Sequence, residues 1–236
     1  MASNKLPSKK KAASPKRELT ADEIVENISN AILEHRLVPG TKLGEDRLAA
    51  IYGTNRPRIR EVLARLSHEQ VVELVPQRGA FVAKPTVEQA RDVFEARRLI
   101  EPGVLERLVQ NFNEEKLGRL QDHLGQEEEA RRIHDKHAVV RLSGEFLTLL
   151  AELAGNSLLA RSMKELSTLT CLTISLYDAP TASSCRVDEH SAIVDAIRAG
   201  DLPLAQKLML RHLSHIEDSL DLNSETEDVD LESVLG

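Results

Sequence analysis

Ile24, Ile28, Ile32 and Leu33 recur at helical spacing behind Thr20-Ala21-Asp22-Glu23. That tetrapeptide is a capping box, in which Thr and Glu side chains satisfy each other's free amide donors. Pro39-Gly40 closes the segment. A short second helix is predicted over Leu48-Ala49-Ala50-Ile51-Tyr52, ending at Gly53. Thr54 and Asn55 then cap a third, with Pro57 tolerated in its first turn and Ile59, Val62, Leu63 and Leu66 on its apolar face to about Glu69. The pattern switches at residues 71–75 and 80–82, apolar and β-branched runs flanking Pro76-Gln77-Arg78-Gly79, a hairpin signal. Three helices and a small hairpin predict a winged helix-turn-helix. From the capping box Thr86-Val87-Glu88-Gln89 onward only helical periodicity remains, over about 87–111, 114–130, 135–154, 157–178, 187–199 and 202–221. Pro102 is expected to kink or split the first of these. The fold class is therefore mainly α: an N-terminal winged helix-turn-helix followed by an all-α helical bundle. The border is placed near Lys84 and Pro85.

Composition supports helices, with 3% aromatic residues and no Trp among 236 residues. Cys171 and Cys185 form no CxxC motif and are too few for a disulfide framework. No apolar run is long enough for a membrane helix and no signal-peptide core follows Met1, so a cytoplasmic protein is expected. The net charge of −7 argues against binding phosphate until it is divided along the chain. Residues 1–17 carry six basic side chains and no acid, whereas 217–236 carry eight acids and no Lys or Arg. Both ends are read as solvated tails, 1–17 and 222–236, flanking domains over 18–84 and 85–221. The basic tail adds non-specific attraction to phosphate. The third helix holds Arg56, Arg58, Arg60 and Arg65 against Glu61 alone. An arginine fork pairs with two acceptors on guanine or clamps a phosphate, and a recognition helix presents its first turn to the base edges. Arg56 and Arg60 share a face, and Arg58 is rotated about 200° from Arg56. One face is assigned to bases and the other to backbone. Gln77, Arg78 and Gly79 form the wing tip, where Gly79 permits a tight turn and close approach to a groove.

These residues resemble a known family. The stretch Ile32-Leu33-Glu34-His35-Arg36-Leu37-Val38-Pro39-Gly40-Thr41-Lys42-Leu43-Gly44-Glu45, then Leu48-Ala49, then Asn55-Arg56-Pro57-Arg58-Ile59-Arg60-Glu61-Val62-Leu63, then Pro76-Gln77-Arg78-Gly79-Ala80-Phe81-Val82, is similar to the winged-helix domain of GntR-family transcriptional regulators. The resemblance implies DNA contacts from Thr54, Asn55, Arg56, Arg58, Arg60 and the wing tip. One position departs: where some members carry a phosphate-facing Arg after Glu45, this chain has Asp46. The second half resembles the FCD-type effector domain of the FadR-like branch. Phe94-Glu95-Ala96-Arg97-Arg98-Leu99-Ile100-Glu101-Pro102 is similar to its opening helix and Ala154-Gly155-Asn156-Ser157-Leu158-Leu159 to a mid-domain signature. Glu189-His190-Ser191-Ala192-Ile193, Asp195-Ala196-Ile197-Arg198-Ala199-Gly200-Asp201, Ala205 and His212-Leu213 are similar to its closing helix pair.

In many such domains an Asp and a His four apart, with one His from each closing helix, bind a divalent metal. His190 and His212 lie nearly equidistant from the turn at Gly200 and Asp201, so a helical hairpin brings the imidazoles level about 15 Å from it. The Asp and first-His positions, however, are Ser143 and Leu147, and Leu offers no donor. The expectation is a metal-free pocket in preference to a bound divalent metal. Arg97, His190 and His212 would hold an acidic effector beside Ser143, with Phe146 and Leu147 as an apolar wall. His123, His134, His137 and His215 show no partner logic and are read as structural. No nucleophile elbow, phosphate loop or HExxH marks an enzyme. The resulting expectation is a ligand-responsive regulator, a repressor, binding a palindromic operator as a homodimer because one short helix makes few base contacts. The alternative is a DNA-binding regulator that has lost metal and effector sensing.

Overall fold

A computed structural model of the chain describes residues 19–177 and 188–222. The basic tail, residues 223–236 of the acidic tail, the break at 178–184 and Cys185 therefore lie outside the described residues, while Leu222, read as the first residue of a solvated tail, is buried because it packs with Phe94, Tyr177 and Leu213. Helix α1 (Ala21–Leu33) opens on the Thr20 and Glu23 capping box. Strand β1 (Lys42–Leu43) precedes α2 (Glu45–Tyr52) and α3 (Arg56–His68), and β2 (Val72–Val75) and β3 (Gly79–Val82) follow. The sheet runs β1-β3-β2, with Lys42 opposite Phe81 and Val75 opposite Gly79. The third strand was not foreseen, because two residues carry no alternation to read. Helix α2 begins three residues earlier than the apolar pattern suggests. Its first turn holds Glu45 and Asp46, which complement the positive end of a helix although neither packs in a core. Ile24, Ile28 and Ile32 of α1 bury against Ile59, Val62, Leu63 and Leu66 of α3 and against Leu43, Val72, Ala80 and Val82 of the sheet.

The bundle comprises α4 (Val87–Gln110), α5 (Glu114–Arg132), α6 (Lys136–Leu153), α7 (Ser157–Tyr177), α8 (Glu189–Arg198) and α9 (Leu202–Asp218). Pro102 does not split α4, which stays one helix of 24 residues. The helix is braced on both sides of the proline. Arg97 before it and Val104, Leu105 and Leu108 after it are buried, and the Pro102 carbonyl accepts a hydrogen bond from Gln206 of α9 at 3.1 Å. Packing thus offsets the lost backbone bond. The main core joins α4, α5, α6, α8 and α9 through Leu105, Leu120, Phe146, Leu150, Ile193 and Met209.

The two halves are docked. Leu172 of α7 is buried in the core of the winged helix, where it is 1% exposed. A Cβ placed on Gly144 of α6 would meet Leu33 at 3.4 Å and Cys171 at 3.5 Å, ordinary contact distances that put α1 and α7 both against α6. Around this seam Arg141 pairs with Glu34 at 3.1 Å and His137 donates to the Glu34 carbonyl at 2.5 Å.

Candidate nucleic-acid interface and buried sensor network

Asn55 caps α3, its side chain accepting from the Arg58 amide at 3.0 Å, and Thr54 precedes it in the tight turn after α2. The three arginines of the first turn then separate. Arg56 and Arg60 are exposed, whereas Arg58 is half-buried and turned back, donating to the Leu19 carbonyl at 3.4 Å. The exposed pair is held by acids of α2: Arg60 to Glu45 at 2.8 Å, Arg56 to Glu45 at 3.5 Å and to Asp46 at 3.2 Å. Exposed ion pairs of this kind hold weakly, about 0.2–1 kcal/mol, and release when a phosphate competes. Further along α3, Arg65 pairs with Asp22 at 2.6 Å. The wing tip presents Gln77, Arg78 and Gly79 to solvent. Its turn places Gln77 at φ 62° after Pro76, with Arg78 N–H bonded to the Val75 carbonyl at 3.1 Å, and Gly79 at φ 102°. The left-handed position at Gln77 was not foreseen. Lys42 and Arg78 both lie over the Phe81 ring, 5.9 and 5.8 Å from its centre, so the unforeseen strand adds a cation beside the wing.

In the bundle, His190 and His212 do meet, with ring centres 4.9 Å apart and edge to face. Phe146 stacks on His190 at 4.0 Å, and Leu147 is buried on the same helix. Ser143 is half-buried one turn before Leu147. Arg97 is fully buried, with Nε on Glu101 at 2.7 Å and Nη1 on the Thr170 hydroxyl at 3.1 Å. Three of its neighbourhood's polar atoms stay unpaired among the described residues: Arg97 Nη2, Glu101 Oε2 and His190 Nε2.

The residues missed from the sequence are the carboxylates that hold these rings. His190 Nδ1 lies 2.8 Å from Glu127 of α5, and His212 Nδ1 lies 2.6 Å from Glu189. Burial pushes the Glu127 carboxyl up, but hydrogen bonds from His123 and His190 outweigh it and hold the group down at about 2. A hydrogen bond from His212, against burial and joined by one from His215, holds Glu189 at about 2. Both are ionised and accept only, so each Nδ1 carries the proton and donates. Burial pushes His212 below its ordinary value despite that bond. His123 donates from Nε2 to the Leu142 carbonyl at 3.0 Å and lies 3.3 Å from Glu127. His123 and His215 are thus members of the network and not partnerless, His137 belongs to the seam, and His134 contacts the Arg132 carbonyl. The i, i+4 spacing of His123 and Glu127 was the available signal.

This network does not fit the family's divalent metal. Ser143 and Leu147 stand where two ligands are needed, and no three His, Cys, Asp or Glu among the described residues are grouped to hold an ion. Carboxylates on α5 and α8 engage the two imidazoles instead.

The model of bacterial regulatory proteins of the gntR family matches residues 20–82, and that of the FCD domain matches residues 92–215, more than half of the chain. The chain belongs to the GntR family. Like the family, it is a DNA-binding transcriptional regulator with an FCD effector domain, not an enzyme. An uncharacterized HTH-type regulator in an unstable DNA locus of Streptomyces ambofaciens is 28% identical over 203 residues, covering 84% of each chain. The HTH-type regulator LutR of Bacillus subtilis is 28% identical over 206 residues, covering 78% of this chain and 93% of LutR. The HTH-type repressor RspR of Escherichia coli is 24% identical over 185 residues, covering 78% and 81%. Among solved structures, E. coli McbR/YncC superposes with a TM-score of 0.75 at 17% identity, covering 84% of this chain and 95% of that one. A GntR protein of Rhodococcus sp. RHA1 gives 0.71 at 22%, with the same coverage. Both share the fold of this GntR regulator. No helix among its described residues is long and apolar enough to cross a membrane.

Proposed function

We propose that this GntR regulator is a cytoplasmic, nucleoid-associated repressor that binds a palindromic operator as a homodimer and is modulated by a small organic acid. The observation that carries the DNA reading is the exposure of Arg56 and Arg60 together at the start of α3, beside a wing. Arg56 and Arg60 read base edges, Thr54 and Asn55 set the helix start against the backbone, and Gln77, Arg78 and Gly79 enter the adjacent groove. Arg58, turned toward Leu19, supports the helix and contributes a phosphate contact. Two half-sites double the few base contacts that one short helix makes. In the bundle, Arg97 Nη2 and His190 Nε2 are buried without a partner among the described residues, which supports an acidic effector there, with His212 and Ser143 at its edge and Phe146 and Leu147 against its apolar part. We place the domain border at Lys84 and Pro85, between strand β3 and the capping box of α4.

Arg56→Ala tests the DNA reading in an anisotropy titration with the operator found by selection from random DNA. A bidentate arginine–guanine pair is worth about 1–3 kcal/mol at each half-site, so specific binding is expected to vanish while the melting temperature holds. Unchanged operator affinity would refute the assignment. For the effector, a panel of small organic acids is expected to raise the melting temperature of the full chain but not of His190→Ala.

A further inference from the structure

A cavity of about 280 Å³ lies between α1 of the winged helix and the α6 and α7 pair, touching the buried histidine network only at His123. Glu26 and Asn30 line it from α1, Thr148 from α6, Lys164 and Ser167 from α7, and His123 from α5. Its hydroxyl chemistry is unusual for this helix. Thr168, Thr170 and Thr173 of α7 are buried, and each donates to the carbonyl four residues back, at 2.8 to 2.9 Å. Ser167 is as buried, at 3% exposed, yet its hydroxyl has no partner among the described residues. A buried hydroxyl without a partner is costly, and a polar group entering from the cavity that Ser167 lines would relieve that cost.

The charges around the cavity narrow what that partner is. Glu145 pairs with Arg141 Nη1 at 2.9 Å, an arginine it shares with Glu34, and Glu152 pairs with Arg119 at 3.3 Å. That leaves Glu26 from one half of the molecule and Lys164 from the other, each lining the cavity and neither in an ion pair with a described residue. A carboxylate ligand alone would face Glu26, and a diamine would face Lys164. We propose that the cavity binds a small zwitterion of the α-amino-acid class, its ammonium toward Glu26, its carboxylate toward Lys164, and a polar atom on the Ser167 hydroxyl. Bound there, it ties α1 to the α6 and α7 pair and fixes the seam between the two halves. The site takes residues from both halves, so occupancy is coupled to how they dock.

The test is thermal unfolding of the full chain with glycine, L-serine, L-asparagine or L-glutamine, against glycolate and 1,4-diaminobutane at matched ionic strength. At least one amino acid is expected to raise the melting temperature by about several degrees at a hundredfold excess over its dissociation constant, and neither control to do so. Glu26→Gln and Lys164→Met, both exposed positions, should each weaken the response about tenfold or more, and Ser167→Val should abolish it. His190→Ala, which removes the organic-acid response proposed above, should leave it intact. No shift with any amino acid, an equal shift with glycolate or the diamine, or a shift surviving both charge variants overturns the proposal. A response lost in His190→Ala but kept in Glu26→Gln assigns the ligand to the buried network and overturns it too.

Discussion

Asp46 shows how one side chain adjusts a surface built for phosphate. It sits where some relatives of the resembled family carry an arginine, and it reaches Arg56 at 3.2 Å while itself 77% exposed. The same carboxylate holds the arginine fork and repels a phosphate that approaches it. Asp46→Ala should therefore strengthen binding to DNA of any sequence and steepen the slope of log affinity against log salt by about one, since one more cation is free for phosphate. Anisotropy titrations with random-sequence duplexes from 50 to 200 mM salt measure this, and an unaltered slope would sink the idea. The arginines were legible in the sequence because their spacing on a helix is fixed. Their acid partners were not, because Glu45 and Arg60 approach only once the turn after Gly53 folds α2 back onto α3.

At the scale of elements, periodicity located helices well and misjudged what holds them together. Pro102 reads as a break, yet burial on either side of it keeps α4 whole. Strand β1 is too short to read and exists because β3 offers it a partner. The pairing of α8 with α9 was legible from two histidines flanking a turn. The contribution of α5 showed only in the i, i+4 spacing of His123 and Glu127, since a charged helix with few apolar residues does not mark which carboxylate points inward. Glu127 is 1% exposed and serves both His123 and His190. Glu127→Ala should cost about 3 kcal/mol in urea unfolding, the scale for removing one side of a buried ionic contact. Prolonged dialysis against a chelator should leave the melting temperature of the wild-type chain unchanged, because carboxylates hold the imidazoles. A drop on chelation that zinc reverses would contradict this account.

Across the molecule, the seam between the halves carries its own titration. His35 adopts a left-handed backbone, φ 54°, just after α1, and its ring meets the backbone of Cys171. Burial pushes it below its ordinary value of 6.5, the Cys171 hydrogen bond opposes this, and His137 adds to the depression. Glu34, Arg141 and His137 are further charged or titratable groups of the seam. Since the folded state binds this proton less readily than the unfolded one, the stability it confers is complete above about pH 6.5 and is lost as pH falls through its lower folded value. Melting temperatures measured from pH 7.5 to 5 should decline, and His35→Asn, which tolerates the left-handed backbone, should decline less. Identical pH profiles would rule His35 out as a source.

Leu172 turns that seam into a constraint on anyone who would cut it. A side chain from α7 completes the core of the winged helix. Residues 19–84 expressed alone would have an open socket where this leucine sits. Graft experiments that join this DNA-reading unit to a foreign sensing domain should begin by supplying a substitute knob, for without one the unit is an unfinished fold and not a portable part.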